Sequence, residues 1–218
     1  MTFSSLKLAA VAALFAVSSA ANASLLLVEQ YDNFWSTNVN ALIDYANNNE
    51  ADTSAYWSHI DFTDDPNGFA GDIAGSNPWP SAKAAGAAGK NHGLNQTFFA
   101  RISGNIATDA GDFYFRTFND DGLFLFVDGE LIINDNTLHP EKRFEGFKTL
   151  TAGVHNIELF FFENGGEASL EFSIADASRQ FVHFDNINSP ATLVPEPTTL
   201  AVFGLGLFGL AMRRKRNA

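Results

Sequence analysis

Residues 112–135 read DFYFRTFNDDGLFLFVDGELIIND. Runs of aromatic and branched residues at 112–118, 123–127 and 130–134 are separated by Asn-Asp-Asp-Gly and by Asp128-Gly129. Such side chains suit a pleated, half-buried surface, and Asp-Gly between two of these runs suits a two-residue type I′ hairpin. The stretch predicts consecutive antiparallel strands. Two adjacent carboxylates, Asp120 and Asp121, stand at the mouth of the middle one. Neighbouring side chains on a strand point to opposite faces. Either the two solvate separately, as in an acidic turn, or the backbone bends so that both converge on a cation.

The same period of two continues on both sides. TFFARIS (97–103), VHNIELFFF (154–162) and ASLEFSIA (168–175) read as further strands. In the last, Ala168, Leu170, Phe172 and Ile174 face a core, with Ser169, Glu171 and Ser173 outward. Thr151-Ala152-Gly153 and Asn164-Gly165-Gly166 mark the turns, the second needing positive φ. No room remains for helices between strands, so the fold class is all-β, an antiparallel sandwich or barrel. Before Gln96 the pattern is less regular. Val39, Leu42, Ile43 and Ala46 fall at helical spacing, with Ser36 or Thr37 as N-cap. The stretches 61–80 and 81–93 are rich in turn residues and read as surface loops, with Asp64 and Asp65 in a solvated turn. DNTLHPEKRFE (135–145) reads as a surface connection, and residues 185–193 as a linker.

Both ends carry targeting chemistry. Lys7, the apolar run 8–17 and Ala21-Asn22-Ala23 form a signal peptide ending at Ala23, a substrate for signal peptidase. At the other end, Val194, Pro195, Glu196 and Pro197 precede an apolar segment, 198–212, and the cluster Arg213-Arg214-Lys215-Arg216. At about 1.5 Å per residue that segment is short for a bilayer of about 30 Å, and the basic cluster holds its end in the cytoplasm. A domain of residues 24–184 lies between these signals.

Without its two ends the chain has 8 basic and 24 acidic residues, a net charge near −16. That balance excludes nucleic acid as a partner and supplies oxygen ligands for hard cations. With no cysteine there is no disulfide framework and no thiol chemistry. The five histidines, His59, His92, His139, His155 and His183, are scattered and form no H-E-x-x-H. No G-x-S-x-G elbow occurs either. Adjacent carboxylates are poorly placed to cleave a glycoside, which needs them on opposite sides of the bond. The sequence reads as a binding protein, not an enzyme.

The tail resembles the PEP-CTERM sorting signal of Gram-negative bacteria, in which the Pro-Glu-Pro tripeptide is recognised by exosortase at the inner membrane. The resemblance implies transient membrane insertion and then export to the outer envelope or matrix of a cell that makes exopolysaccharide. The strand run resembles the PA14 domain family, an extracellular β-sandwich: strand, aspartate pair with glycine, strand ending in Asp-Gly, strand, then Leu-Thr-Ala-Gly and an aromatic strand. The match is best over 96–175. In its sugar-binding members, flocculins and related adhesins, two aspartates joined by a cis peptide and an asparagine on a later loop bind Ca²⁺, which contacts sugar hydroxyls. The resemblance implies that role for Asp120, Asp121 and Asn164, with Glu167 adding a hydrogen bond to a ligand. The loop departs from the adhesin pattern, since Gly165-Gly166 replaces bulky residues and offers no stacking platform. The expected function is Ca²⁺-dependent binding of extracellular polysaccharide or surface glycans, for adhesion or biofilm matrix. Two alternatives stay open: a structural surface protein that binds no sugar, and an accessory module of a secreted glycosidase.

Overall fold

A computed structural model describes residues 25–64, 70–73, 77–80 and 97–183. The expected leader, the segment 81–96, Asp65, the linker and the C-terminal tail lie outside them. Among the described residues no helix is long and apolar enough to cross a membrane.

The elements follow in the order β1 (Leu26–Asp32), α1 (Val39–Asn48), β2 (Thr53–Trp57), β3 (Ile60–Thr63), β4 (Phe98–Thr108), β5 (Gly111–Asp120) and β6 (Gly122–Val127). After them come β7 (Glu130–Asp135), β8 (Lys142–Leu150), β9 (Gly153–Glu163), β10 (Ser169–Ala175) and β11 (Val182–His183). One sheet has the order β2-β1-β4-β9-β6-β7. The other runs β11-β10-β5-β8, with β3 also paired to β10. Every strand pairing is antiparallel. The expected all-β sandwich is therefore present.

Two apolar layers explain the sequence pattern. Between the sheets lie Val28, Ile102, Leu125, Leu159 and Phe161 from one side and Phe62, Phe115, Leu170, Phe172 and Ile174 from the other. A second cluster covers the outer face of the first sheet, where Leu42 and Ala46 of α1 meet Tyr31, Phe99, Phe124, Phe160 and Phe162. β6 and β9 are buried on both faces, which is why LFLFV and LFFF are continuous apolar runs instead of alternating ones.

Turn chemistry holds where it was read. Asp128 and Gly129 have φ of 52° and 76°, the double positive φ of a type I′ turn. Asp128 also accepts hydrogen bonds from the Asn156 N–H at 2.9 Å and from His155 Nδ1 at 2.7 Å. Gly165 and Gly166 have φ of 103° and 125°.

Four local readings are corrected. The helix is capped by Asn38, whose Oδ1 accepts from Asn40 N at 3.0 Å, not by Ser36 or Thr37. Residues 142–145 open the strand β8, which pairs with β5 along its length, and are no surface connection. Within 61–80, β3 joins the second sheet while Asp64, Ala70 and Trp79 are buried, so these described residues are packed structure and not surface loop. Finally, every residue of β10 is buried. Glu171 points outward but under a cover, taking hydrogen bonds from the N–H groups of Asp72 and Ile73 at 3.0 and 2.7 Å.

Candidate metal centre

Four chain segments meet at one end of the sandwich. Leu123 pairs with Asp135, Asn119 with Lys142, and Ser169 with both Asp120 and Thr63. This register brings together the β5–β6 turn, the β7–β8 loop, the β9–β10 loop and the end of β3. Gly122 is required by close approach: a Cβ there would lie 2.2 Å from Phe162 Cζ and 2.7 Å from the Asp135 carbonyl oxygen.

The Asp120–Asp121 peptide bond is cis. Carboxylate oxygens of Asp120, Asp121 and Glu163 lie within 4.8 Å of one another. Of the two arrangements open to the aspartate pair, the convergent one is found. Asp121 and Glu163 are buried and Asp120 is half-buried.

Asp121 is fixed at every polar atom. Its Oδ1 accepts from the His139 main-chain N–H at 2.9 Å and its Oδ2 from the Asn164 N–H at 3.0 Å. Its own N–H donates to Glu163 Oε2 at 3.1 Å, and its carbonyl accepts from Asn119 Nδ2 at 2.7 Å. Glu163 Oε1 in turn accepts from the Gly165 N–H at 2.6 Å. Behind the cluster, Asp64 Oδ1 accepts from the Ala168 N–H at 2.8 Å, and Trp79 donates its indole N–H to the Ala168 carbonyl at 3.1 Å.

The charge is unbalanced. Burial, then the neighbouring charges of Asp121 and Asp120, push the Glu163 carboxyl up to about 9. Burial and Asp121 push Asp120 up to about 7, while the charge of His139 pulls it down. Asp64 raises both. For His139, burial opposes the charged form, but hydrogen bonds to Asp135 and to the Pro140 carbonyl outweigh it and raise its pKa. Three clustered carboxylates form an all-oxygen donor set with surplus negative charge, and this fits a hard divalent cation such as Ca²⁺.

Sequence reasoning located Asp120 and Asp121 and missed Glu163 and Asp64. Asp64 is 2% exposed, which replaces the solvated turn expected for it. Glu163 had a signal, being a carboxylate that closes the buried run Phe160-Phe161-Phe162. Asn164 meets the site through its main-chain N–H, and both Asn164 and Glu167 are exposed.

The PA14 domain model matches residues 29–180, and the PEP-CTERM protein-sorting motif matches residues 193–216. The chain belongs to the PA14 domain family. A PA14 sugar-binding domain from an RTX adhesin is similar at 22% identity and a TM-score of 0.56, covering 74% of this chain and 94% of that one. The PA14 domain of the antifreeze protein MpAFP is similar at 16% identity and a TM-score of 0.57, covering 74% and 89%. No curated protein matches the chain.

Proposed function

We propose that this chain is an exported, cell-surface binding protein that takes carbohydrate in a Ca²⁺-dependent way through Asp120, Asp121 and Glu163. The side-chain amide oxygen of Asn164, not its N–H, is assigned as a further ligand, and Glu167, exposed on the same loop, as a hydrogen-bonding partner of the sugar. The observation that carries this reading is the convergence of three carboxylates within 4.8 Å at the loop end of the sandwich. The bound cation supplies a hard electrophilic centre for paired sugar hydroxyls. The fold likeness to a sugar-binding domain of an adhesin supports the ligand class, and the sorting motif supports export by exosortase.

The chain's own residues divide the work. Asp121, held at both carboxylate oxygens, presents a fixed ligand, while Asp120 remains partly open to solvent. Leu138, 47% exposed, precedes the residue whose N–H bonds Asp121. It offers the apolar surface for a sugar ring that Gly165 and Gly166 lack. The site binds and orients; no step of bond cleavage is assigned to it.

Two measurements test the reading. Calorimetric titration of the full chain with CaCl₂ gives saturable heat that Asp120→Ala with Asp121→Ala abolishes. A glycan array probed with and without chelator gives hits that chelator removes. Absence of heat ends the metal assignment. Saturable calcium heat without chelator-sensitive hits favours the second reading, a structural surface protein, to which the bare Gly165-Gly166 loop already points.

A further inference from the structure

One histidine beside the carboxylates is held in a way that the cation reading does not use. His139 Nε2 lies 2.7 Å from Asp135 Oδ2, and its Nδ1 lies 2.8 Å from the Pro140 carbonyl oxygen. Both ring nitrogens are thus tied to oxygens, one of a buried carboxyl group and one of the main chain. Asp135 is buried and anchored in turn, taking Asn119 Nδ2 at 2.8 Å on Oδ2 and the Thr137 hydroxyl at 2.8 Å on Oδ1. The same Asn119 amide reaches the Asp121 carbonyl, and its Oδ1 accepts from the Thr117 hydroxyl at 2.8 Å. Phe144 packs against the imidazole with ring centroids 5.5 Å apart.

We propose that the His139 side chain is a positioning residue for the cation site. By locking the β7–β8 loop onto Asp135 and Pro140, it holds the His139 main-chain N–H against Asp121 Oδ1. The proposal rests on the cation reading above. Asp121 is thereby gripped from two sides through one hub. Asp135 acts on its carboxylate by way of His139 and on its carbonyl by way of Asn119, and Asp135 is outside the carboxylate group that meets at the site.

Charge and position predict different outcomes here. A charged imidazole ring beside carboxylates would repel a cation and a neutral one would not, so if charge alone matters deleting the ring tightens Ca²⁺ binding or leaves it unchanged. If His139 positions Asp121, deleting it weakens binding. Partners of metal ligands typically change affinity by about tenfold or more when removed.

The experiment is CaCl₂ calorimetry on the full chain for wild type, His139→Ala and His139→Gln, with amide hydrogen exchange and thermal unfolding of each calcium-free protein. His139→Ala should bind about tenfold more weakly. It should also exchange the Asn164 N–H faster, although that group lies on a different loop and shares only Asp121 with His139. His139→Gln keeps a donor for Asp135 and should recover most of the affinity. Equal or tighter binding by His139→Ala overturns the proposal, as does faster exchange confined to the β7–β8 loop. A wild-type chain that takes up no calcium overturns the cation reading itself, and that outcome is visible before any variant is compared. Should His139→Ala fail to fold, His139→Phe decides, since it keeps a ring against Phe144 but has no donor for Asp135: weaker binding with faster exchange of the Asn164 N–H supports positioning, and wild-type values for both overturn it.

Discussion

Glu163 Oε2 accepts the main-chain N–H of Asp121 at 3.1 Å, so a carboxylate closing one strand is bonded to the turn that opens another. The contact draws Glu163 into the field of Asp121 and Asp120, where burial and repulsion push its carboxyl up to about 9. A raised folded-state pKa means that the folded protein holds protons the unfolded chain has released. The stability this provides is complete below the ordinary carboxylate range and is lost as pH rises, through about 7 for Asp120 and about 9 for Glu163. The calcium-free protein should therefore melt at progressively lower temperature between pH 5 and pH 9. Glu163→Gln should flatten that slope and bind calcium less well. Thermal unfolding across pH with chelator present checks both, and a flat wild-type profile contradicts the account.

Calcium should reverse the same trend. A ligand that binds only the folded state stabilises it by mass action, and the carboxylates must shed their protons to bind. The calcium-induced rise in melting temperature should be small at pH 5 and largest near pH 9. Scanning calorimetry at matched free Ca²⁺ across that range is the measurement. A rise that shrinks with increasing pH would point to a site elsewhere.

Gly122→Ala should destabilise the fold by about 1–3 kcal/mol, the usual cost of forcing a methyl group into a packed core. The Phe162 ring can shift to admit it, but the Asp135 carbonyl belongs to the paired strand β7 and cannot. Urea unfolding gives the value. Calcium affinity should fall as well, since Gly122 directly follows Asp121.

How much of this was legible varies with the physics involved. The strands from Phe98 to Ala175 were readable, except β8, because side-chain chemistry and turn residues act locally. β8 was missed because KRFEGFKTL mixes charges into a strand that is largely solvent-facing on one side. β1 to β3 were missed because their burial depends on partners distant in sequence: Leu170 for Phe62, and Ile102 for Val28. The aspartate pair stood out as adjacent carboxylates at the mouth of an apolar strand, and the resemblance chose between its two readings. Glu163 and Asp64 did not, since only the pairing of β3 and β9 with their neighbours brings them to that end. Glu171 looked solvent-facing by alternation, and the cover over it lies in a turn-rich stretch with no periodicity to read.

Trp79→Ala should cost about 3–5 kcal/mol, the range for removing a large buried aromatic. Trp79 is 1% exposed, stacks on Phe161 with centroids 4.8 Å apart and bonds the Ala168 carbonyl. Trp79→Phe keeps an aromatic ring but loses the N–H and part of the indole volume, and it should cost less, since the Ala168 carbonyl still accepts the Asp64 N–H at 3.1 Å. Chemical denaturation of the two variants separates packing from hydrogen bonding at the floor of the site. Equal losses in both would show that the indole N–H carries most of the contribution.

Arg116→Met should be strongly destabilising, and the reason lies in what it leaves behind. Arg116 is 5% exposed, with Nη2 at 3.1 Å from Glu171 Oε1, Nη1 at 3.0 Å from Asp72 Oδ2 and Nε at 3.0 Å from the Ser173 hydroxyl. Burial already raises the Glu171 carboxyl, and Arg116 is among the groups holding it down. Without the guanidinium, Glu171 becomes a buried charge lacking its counter-ion, a loss of about 3–5 kcal/mol. Adding Glu171→Gln should recover part of that loss, because the second variant removes the stranded charge while leaving an oxygen to accept from the Ile73 N–H, now 2.7 Å from Oε2. The double-mutant cycle from urea unfolding should therefore show a favourable coupling well above 1 kcal/mol. Additive losses would mean that Glu171 is neutral in the folded protein, and that the cover over β10 is held by the N–H groups of Asp72 and Ile73 alone.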